Sequence, residues 1–134
     1  RIAQSVGVHA CTDITGFGLL GHASEMAERG DARLVFHADR LPFLDGAHDY
    51  AARSLFPGGT CRNRDYFGPH IDFAADVADD MRQLLLTPET SGGLLLAVAP
   101  DRADAFAAAC AAEGQPWWTV GECRTGVGIE VVGG

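Results

Sequence analysis

The segment Gly16-Phe-Gly-Leu-Leu-Gly21 restricts the fold more than any other part of this chain. Glycine weakens a strand, yet it lets a helix begin close against other backbone. Val6-Gly-Val-His-Ala-Cys11 alternates loosely and predicts a short strand before it, with Thr12–Gly16 as a turn. From Phe17 to Arg29, Leu20, Ala23 and Ala27 share one side at helical spacing, flanked by Leu19 and Met26. Glu25, Glu28 and Arg29 fall off that face, and Gly30 is the expected stop. The first third therefore reads as strand, glycine turn, amphipathic helix.

Beyond it the expected elements are few and short. Leu34–Ala38 predicts a strand, and Asp45 is placed to cap a short helix through Ser54. Phe56–Pro69 holds Pro57, Gly58, Gly59, Gly68 and Pro69 and reads as a long loop. His70–Ala74 predicts a strand, and Asp76–Leu86 a helix with Asp79 and Asp80 at its positive end. Thr87-Pro-Glu-Thr-Ser-Gly-Gly93 is a second loop and feeds the apolar run Leu94–Ala99. Ala-rich Asp101–Glu113 predicts a helix ending at Gly114. Trp117–Glu122 and Val127–Val132 predict closing strands, with one tryptophan of the Trp117-Trp118 pair inward and the other outward. At 134 residues the whole chain fits a single domain. The pattern predicts an α+β fold, a mixed or antiparallel sheet packed with helices.

Charge removes several function classes. Eighteen acidic residues against ten basic ones give a formal net charge of −8, which excludes the basic face that phosphate-backbone binding to nucleic acid needs. All ten basic residues are arginine, so neither a Schiff-base lysine nor a P-loop lysine is available. No apolar run approaches the ~18–20 residues of a membrane span. Cys11, Cys61, Cys110 and Cys123 form no CxxC pair, and such scattered cysteines suit a reducing cytosol. The chain opens on Arg1 rather than Met, as a piece of a longer polypeptide would.

Gly16–Gly21 matches the dinucleotide fingerprint G-x-G-x-x-G, with Asp39 at the end of the next expected strand. Asp13, just before the glycines, opposes that reading, because a carboxylate repels a pyrophosphate unless a cation lies between them. The same carboxylate beside a helix N-terminus suits a Mg²⁺–polyphosphate group, since Mg²⁺ takes one or two protein carboxylates and fills its shell with phosphate oxygens and water. Thr12 and Thr15 add hydroxyls. The plainer alternative makes Asp13 or Thr15 an N-cap and the glycines mere packing devices.

Three segments carry a family resemblance. Cys11-Thr-Asp-Ile-Thr-Gly-Phe-Gly-Leu-Leu-Gly-His22 resembles the signature that opens the C-terminal domain of the selenophosphate synthetases (selenide, water dikinases). Pro57-Gly-Gly-Thr-Cys-Arg-Asn63 resembles that family's PGGTxxN loop, and Thr90-Ser-Gly-Gly-Leu-Leu95 its TSGGLL loop. The family often has Asp-Pro-Gln before the latter, where this chain has Thr87-Pro-Glu89, a departure that bears on any metal role at position 87. The resemblance implies a fold like the C-terminal domain of the aminoimidazole ribonucleotide synthetase superfamily, partly ferredoxin-like. It implies conversion of ATP, selenide and water to selenophosphate, AMP and phosphate with Mg²⁺, in a cytoplasmic homodimer. Asp13 matches the metal-binding aspartate that this domain contributes.

The family's glycine-rich segment, with its catalytic Cys or selenocysteine and lysine, and its ATP-binding N-terminal domain are not among these residues. The expectation is therefore a domain with no catalytic residue of its own, inactive alone, that completes a Mg-ATP site. Cys11, as a strand residue in another motif, is expected to be buried and inert. His22 is expected to pack or cap. His9, His37, His48 and His70 lack metal-ligand spacing, and Asp72, Asp76, Asp79 and Asp80 read as solvated charge. A dinucleotide-binding module and a non-catalytic or paralogous domain of the same superfamily are the competing readings.

Overall fold

A computed structural model describes all residues, Arg1–Gly134, as an α+β fold. In chain order the elements are α1 (Ile2–Val6), β1 (Ala10–Asp13), α2 (Gly18–Gly30), β2 (Arg33–His37), α3 (Ala47–Ala52) and α4 (Gly58–Phe67). Then come β3 (Ile71–Phe73), α5 (Asp79–Leu84), β4 (Leu94–Ala97), α6 (Ala103–Glu113), β5 (Gly121–Arg124) and β6 (Gly128–Val132). Short 3₁₀ turns cover Ala38–Arg40, Gly68–His70 and Pro100–Arg102.

The strands divide into two sheets. β3, β6, β2 and β5 form a mixed sheet in that order, parallel at β3–β6 and β6–β2 and antiparallel at β2–β5. β1 and β4 form a separate antiparallel ribbon in which Asp13 faces Leu94. In β6 the pleat sends Ile129 and Val131 inward, with Gly128, Glu130 and Val132 only partly covered. β2, between two neighbours, buries Leu34, Val35 and Phe36 in succession.

Helix α2 touches β1, β2 and β6, so it spans ribbon and sheet. Its inner residues Leu20, Ala23 and Ala27 are those that the spacing picks out, and they join Leu34, Phe36, Ile129 and Val131 in one core. On the solvent side Asp72 and Glu130 stand opposite each other in register. Arg33 donates to both, at 2.8 and 3.0 Å, relieving their repulsion and tying three strands together.

Several local expectations are corrected. The first strand begins later and runs through Asp13, because Ile2–Val6 is helical. Gly30 lies inside α2, and Asp31 takes the left-handed conformation that ends it, at φ 49°. Asp45 does not cap α3; Gly46 occupies that position at φ 84°. The expected 56–69 loop is mostly helix α4, which starts after the extended Pro57 and keeps its two glycines in the first turn. Its buried positions Thr60, Asn63 and Phe67 do have helical spacing, but two are polar, so no apolar period marks them. Both tryptophans are exposed and precede β5 instead of lying in it; Trp117 meets Phe106 edge to face. No helix is long and apolar enough to cross a membrane.

Gly121 begins β5 where a Cβ would stand 2.0 Å from the Val35 carbonyl oxygen, so the strand must shift to accept any side chain. Gly121→Ala is expected to lower unfolding stability by about 1–3 kcal/mol, measured by urea denaturation followed by circular dichroism.

Candidate functional site

The three glycine-bearing segments of the sequence meet at one junction. It is formed by the turn from Asp13 to Gly18, the first two turns of α4, and the stretch Leu85–Gly93. Ile14 is gripped by the third segment: its N–H donates to the Gly93 carbonyl at 2.9 Å and its carbonyl accepts from Gly92 N–H at 3.1 Å. A Cβ on Gly92 would lie 2.7 Å from the Ile14 side chain. Thr15 O accepts from Glu89 N–H at 2.9 Å. Gly18, at φ +68°, starts α2 where a Cβ would fall 2.7 Å from the Thr87 carbonyl oxygen, so both conformation and space require glycine.

α4 supplies the bracket. The buried Asn63 carboxamide donates to Gly16 O at 3.0 Å and Leu86 O at 2.9 Å. Thr60, fully buried, donates to the Thr87 hydroxyl at 3.1 Å, which donates on to Gln83 O at 2.9 Å. Leu85 O accepts from Leu20 N–H at 3.2 Å, satisfying an amide that the first turn of a helix would otherwise leave unpaired.

Neither Asp13 nor Thr15 caps α2; the capping position is Phe17, with no side-chain bond from it. His22 does the work from inside the helix. Its Nε2 accepts from Phe17 N–H at 3.3 Å and lies 3.0 Å from the Thr15 hydroxyl. An Nε2 that accepts from an amide carries no proton, which assigns the proton to Nδ1, 3.5 Å from the Glu25 carboxylate. His22 thus sits as the capping histidine that its position suggests.

Asp13 ends β1 with its carboxylate exposed and without hydrogen bond or ion pair in the chain. Two, three and six residues on, the N–H groups of Thr15, Gly16 and Leu19 make no hydrogen bond within the chain. One free carboxylate followed by free amide donors at a helix start can serve a cation and an anionic oxygen together. The donor set fits Mg²⁺ as a partial site, since one or two carboxylates suffice for that ion when phosphate and water complete its shell. No group of three or more His, Cys, Asp or Glu in this chain could hold a metal by itself.

Other expected residues lie elsewhere. Cys11 is exposed, contrary to expectation, because the two-stranded ribbon leaves that face uncovered. Cys61 and Cys123 are exposed and Cys110 is buried, all four as free thiols. Asp72 pairs with Arg33, and Asp79 and Asp80 bond within their own helix, as solvated charge does. The dinucleotide reading fails on topology. β1 and β2, the strands flanking the glycines, belong to different sheets, so no parallel βαβ unit exists there. Asn63 and Glu89 are the residues that residue-by-residue reading left without a role.

The sequence profile described as "AIR synthase related protein, C-terminal domain" matches residues 1–134. The chain is 48% identical over 107 residues to the selenide, water dikinase of Pelobacter propionicus, covering 80% of this chain and 31% of that protein. It is 45% identical over 120 residues to the selenide, water dikinase of Yersinia pseudotuberculosis, covering 90% and 34%. The chain thus spans about a third of the length of the curated relatives it matches. The crystal structure of thiamine-monophosphate kinase from Stenotrophomonas maltophilia superposes with a TM-score of 0.61 at 22% identity, over 92% of this chain and 31% of that one, a likeness of fold.

Glu89 carries a consequence for pH. Burial pushes its carboxyl above the ordinary 4.5, and its side chain has no bonding partner in the chain to offset this. A carboxyl raised in the folded state stabilises most when protonated, so this contribution is full below pH 4.5 and is lost as pH climbs through the raised value. Glu89→Gln is expected to melt higher than the parent near pH 7 and alike near pH 4, by calorimetry across that range. The effect is small, because the side chain is only partly buried.

Proposed function

The chain belongs to the AIR synthase related C-terminal domain family, and on that premise we propose that it is the C-terminal domain of a selenide, water dikinase. The intact enzyme makes selenophosphate, AMP and phosphate from ATP, selenide and water. The single observation that carries this reading is the exposed, unpaired Asp13 carboxylate at a helix start whose nearby amides are free. Relatives named selenide, water dikinase at 48% and 45% identity support the choice within the superfamily. The family resemblance of all three glycine-bearing segments points the same way.

On this reading the domain's work is electrostatic. Bound Mg²⁺ neutralises polyphosphate charge during phosphoryl transfer. Asp13 would give that ion one carboxylate, and the Thr15, Gly16 and Leu19 amides, free within the chain, would be available to anionic oxygens. The catalytic Cys or selenocysteine, its lysine and most of the ATP pocket belong to an N-terminal domain, so this domain completes a site without supplying the nucleophile. The intact enzyme is then a cytoplasmic homodimer, with no nucleic acid or membrane partner. The acidic, lysine-free composition and four free thiols agree with that setting.

The test is AMP formation from ATP and selenide in the full-length polypeptide. Asp13→Asn is expected to lower the rate about a hundredfold and to raise the Mg²⁺ needed for half-maximal rate. The 134-residue chain alone, folded by circular dichroism, is expected to form no AMP. An Asp13→Asn enzyme with the parent rate at limiting Mg²⁺ removes the metal role.

A further inference from the structure

We propose that Asn63 is a positioning residue that sets the cation affinity of the Asp13 turn without touching the ligand; this rests on the reading of Asp13 given above. The argument begins with Gly16. It lies three residues after Asp13, and nothing stands within 4 Å of where its Cβ would be, so that side of it is open. Neither does its own N–H, which has no partner. What holds Gly16 is its carbonyl, bonded to the Asn63 carboxamide at 3.0 Å.

The other hydrogen of the same amide goes to Leu86 O at 2.9 Å. One rigid planar group therefore fixes the distance between the Asp13 turn and the end of α5. On either side of Gly16 the chain is already pinned, by Glu89 N–H on Thr15 O and by His22 on Phe17 N–H. Without Asn63 the one residue between those pins, Gly16, regains freedom, and with it the free Thr15 and Gly16 amides that must be held in register with the Asp13 carboxylate. A buried carboxamide is costly unless both donors are used. Here both are used, so the burial is offset, and an apolar side chain at position 63 would make neither bond. Loss of register by about 1 Å can weaken a preset site by about a hundredfold.

The readouts are Mn²⁺ affinity, by electron paramagnetic resonance with a non-hydrolysable ATP analogue in the full-length polypeptide, and amide hydrogen exchange. Asn63→Leu removes both donors, and Asn63→Ser keeps one short donor in case the first variant folds poorly. Val131→Ala, in the mixed sheet, is a control for lost stability alone. Asn63→Leu is expected to raise the Mn²⁺ dissociation constant at least about tenfold, with Asn63→Ser between it and the parent and Val131→Ala unchanged. Exchange should quicken at Gly18, Leu20 and Glu89, whose amides depend on this junction. Asn63 variants that bind Mn²⁺ like the parent, or no worse than Val131→Ala, overturn the positioning role while a weakened Asp13→Asn leaves the reading of Asp13 standing. If Asp13→Asn itself binds Mn²⁺ like the parent, the reading of Asp13 falls and the positioning role falls with it.

Discussion

Two hydrogen bonds from one buried carboxamide decide how the three glycine-bearing segments sit together. Each such bond contributes only about 1 kcal/mol net, far less than the apolar core of Leu20, Leu86, Ile129 and Val131. Apolar contact is nevertheless less directional than a hydrogen bond, so it fixes the position of backbone polar atoms less sharply. The carboxamide is directional, because Gly16 O and Leu86 O must both lie in its plane of donors. Leaving the buried Leu86 acceptor without a partner costs about 1–3 kcal/mol, against a typical stability of about 5–15 kcal/mol, whereas the exposed Gly16 carbonyl loses its fixed direction. Close glycine contacts at Gly18 and Gly92 let the backbones come near enough for these bonds to form.

Much of the architecture was legible because it rests on apolar periodicity. Leu20, Ala23 and Ala27 announce α2, and the run from Leu94 announces β4. The Ala-rich α6 needs only its propensity, as its single buried residue, Cys110, shows. What escaped was organised by polar atoms. α4 hides behind two prolines' worth of turn signals because its inward residues include Thr60 and Asn63. The separation of the ribbon from the sheet escaped as well. Strand partners 80 or more positions apart leave no local trace, as Ala10 and Ala97 illustrate.

The candidate site was legible in its letters and only partly in its roles. Asp13 stands exposed at the head of the glycine turn, and its N-capping alternative is absent. The capping contact expected of His22 is present, since its ring reaches back to Phe17 N–H just before α2. Cys11 went wrong because alternation assigns a strand residue to a face without saying whether anything covers that face. The Gly92 and Gly18 contacts give the glycines a packing reason that stands beside any ligand reason. Letters alone could not separate the two.

The order of the strands has a consequence for how the chain is made. No two strands that follow each other in sequence are neighbours in either sheet. β6 follows the five other strands in sequence, yet it lies between β3 and β2, and 97 positions separate Arg33 from its partner Glu130. A nascent chain on the ribosome therefore carries β2 and β3 without the strand that joins them until Gly128–Val132 emerge. Such distant closure slows folding relative to helical domains of the same size, and it makes assembly of the mixed sheet an event that follows synthesis of the whole domain.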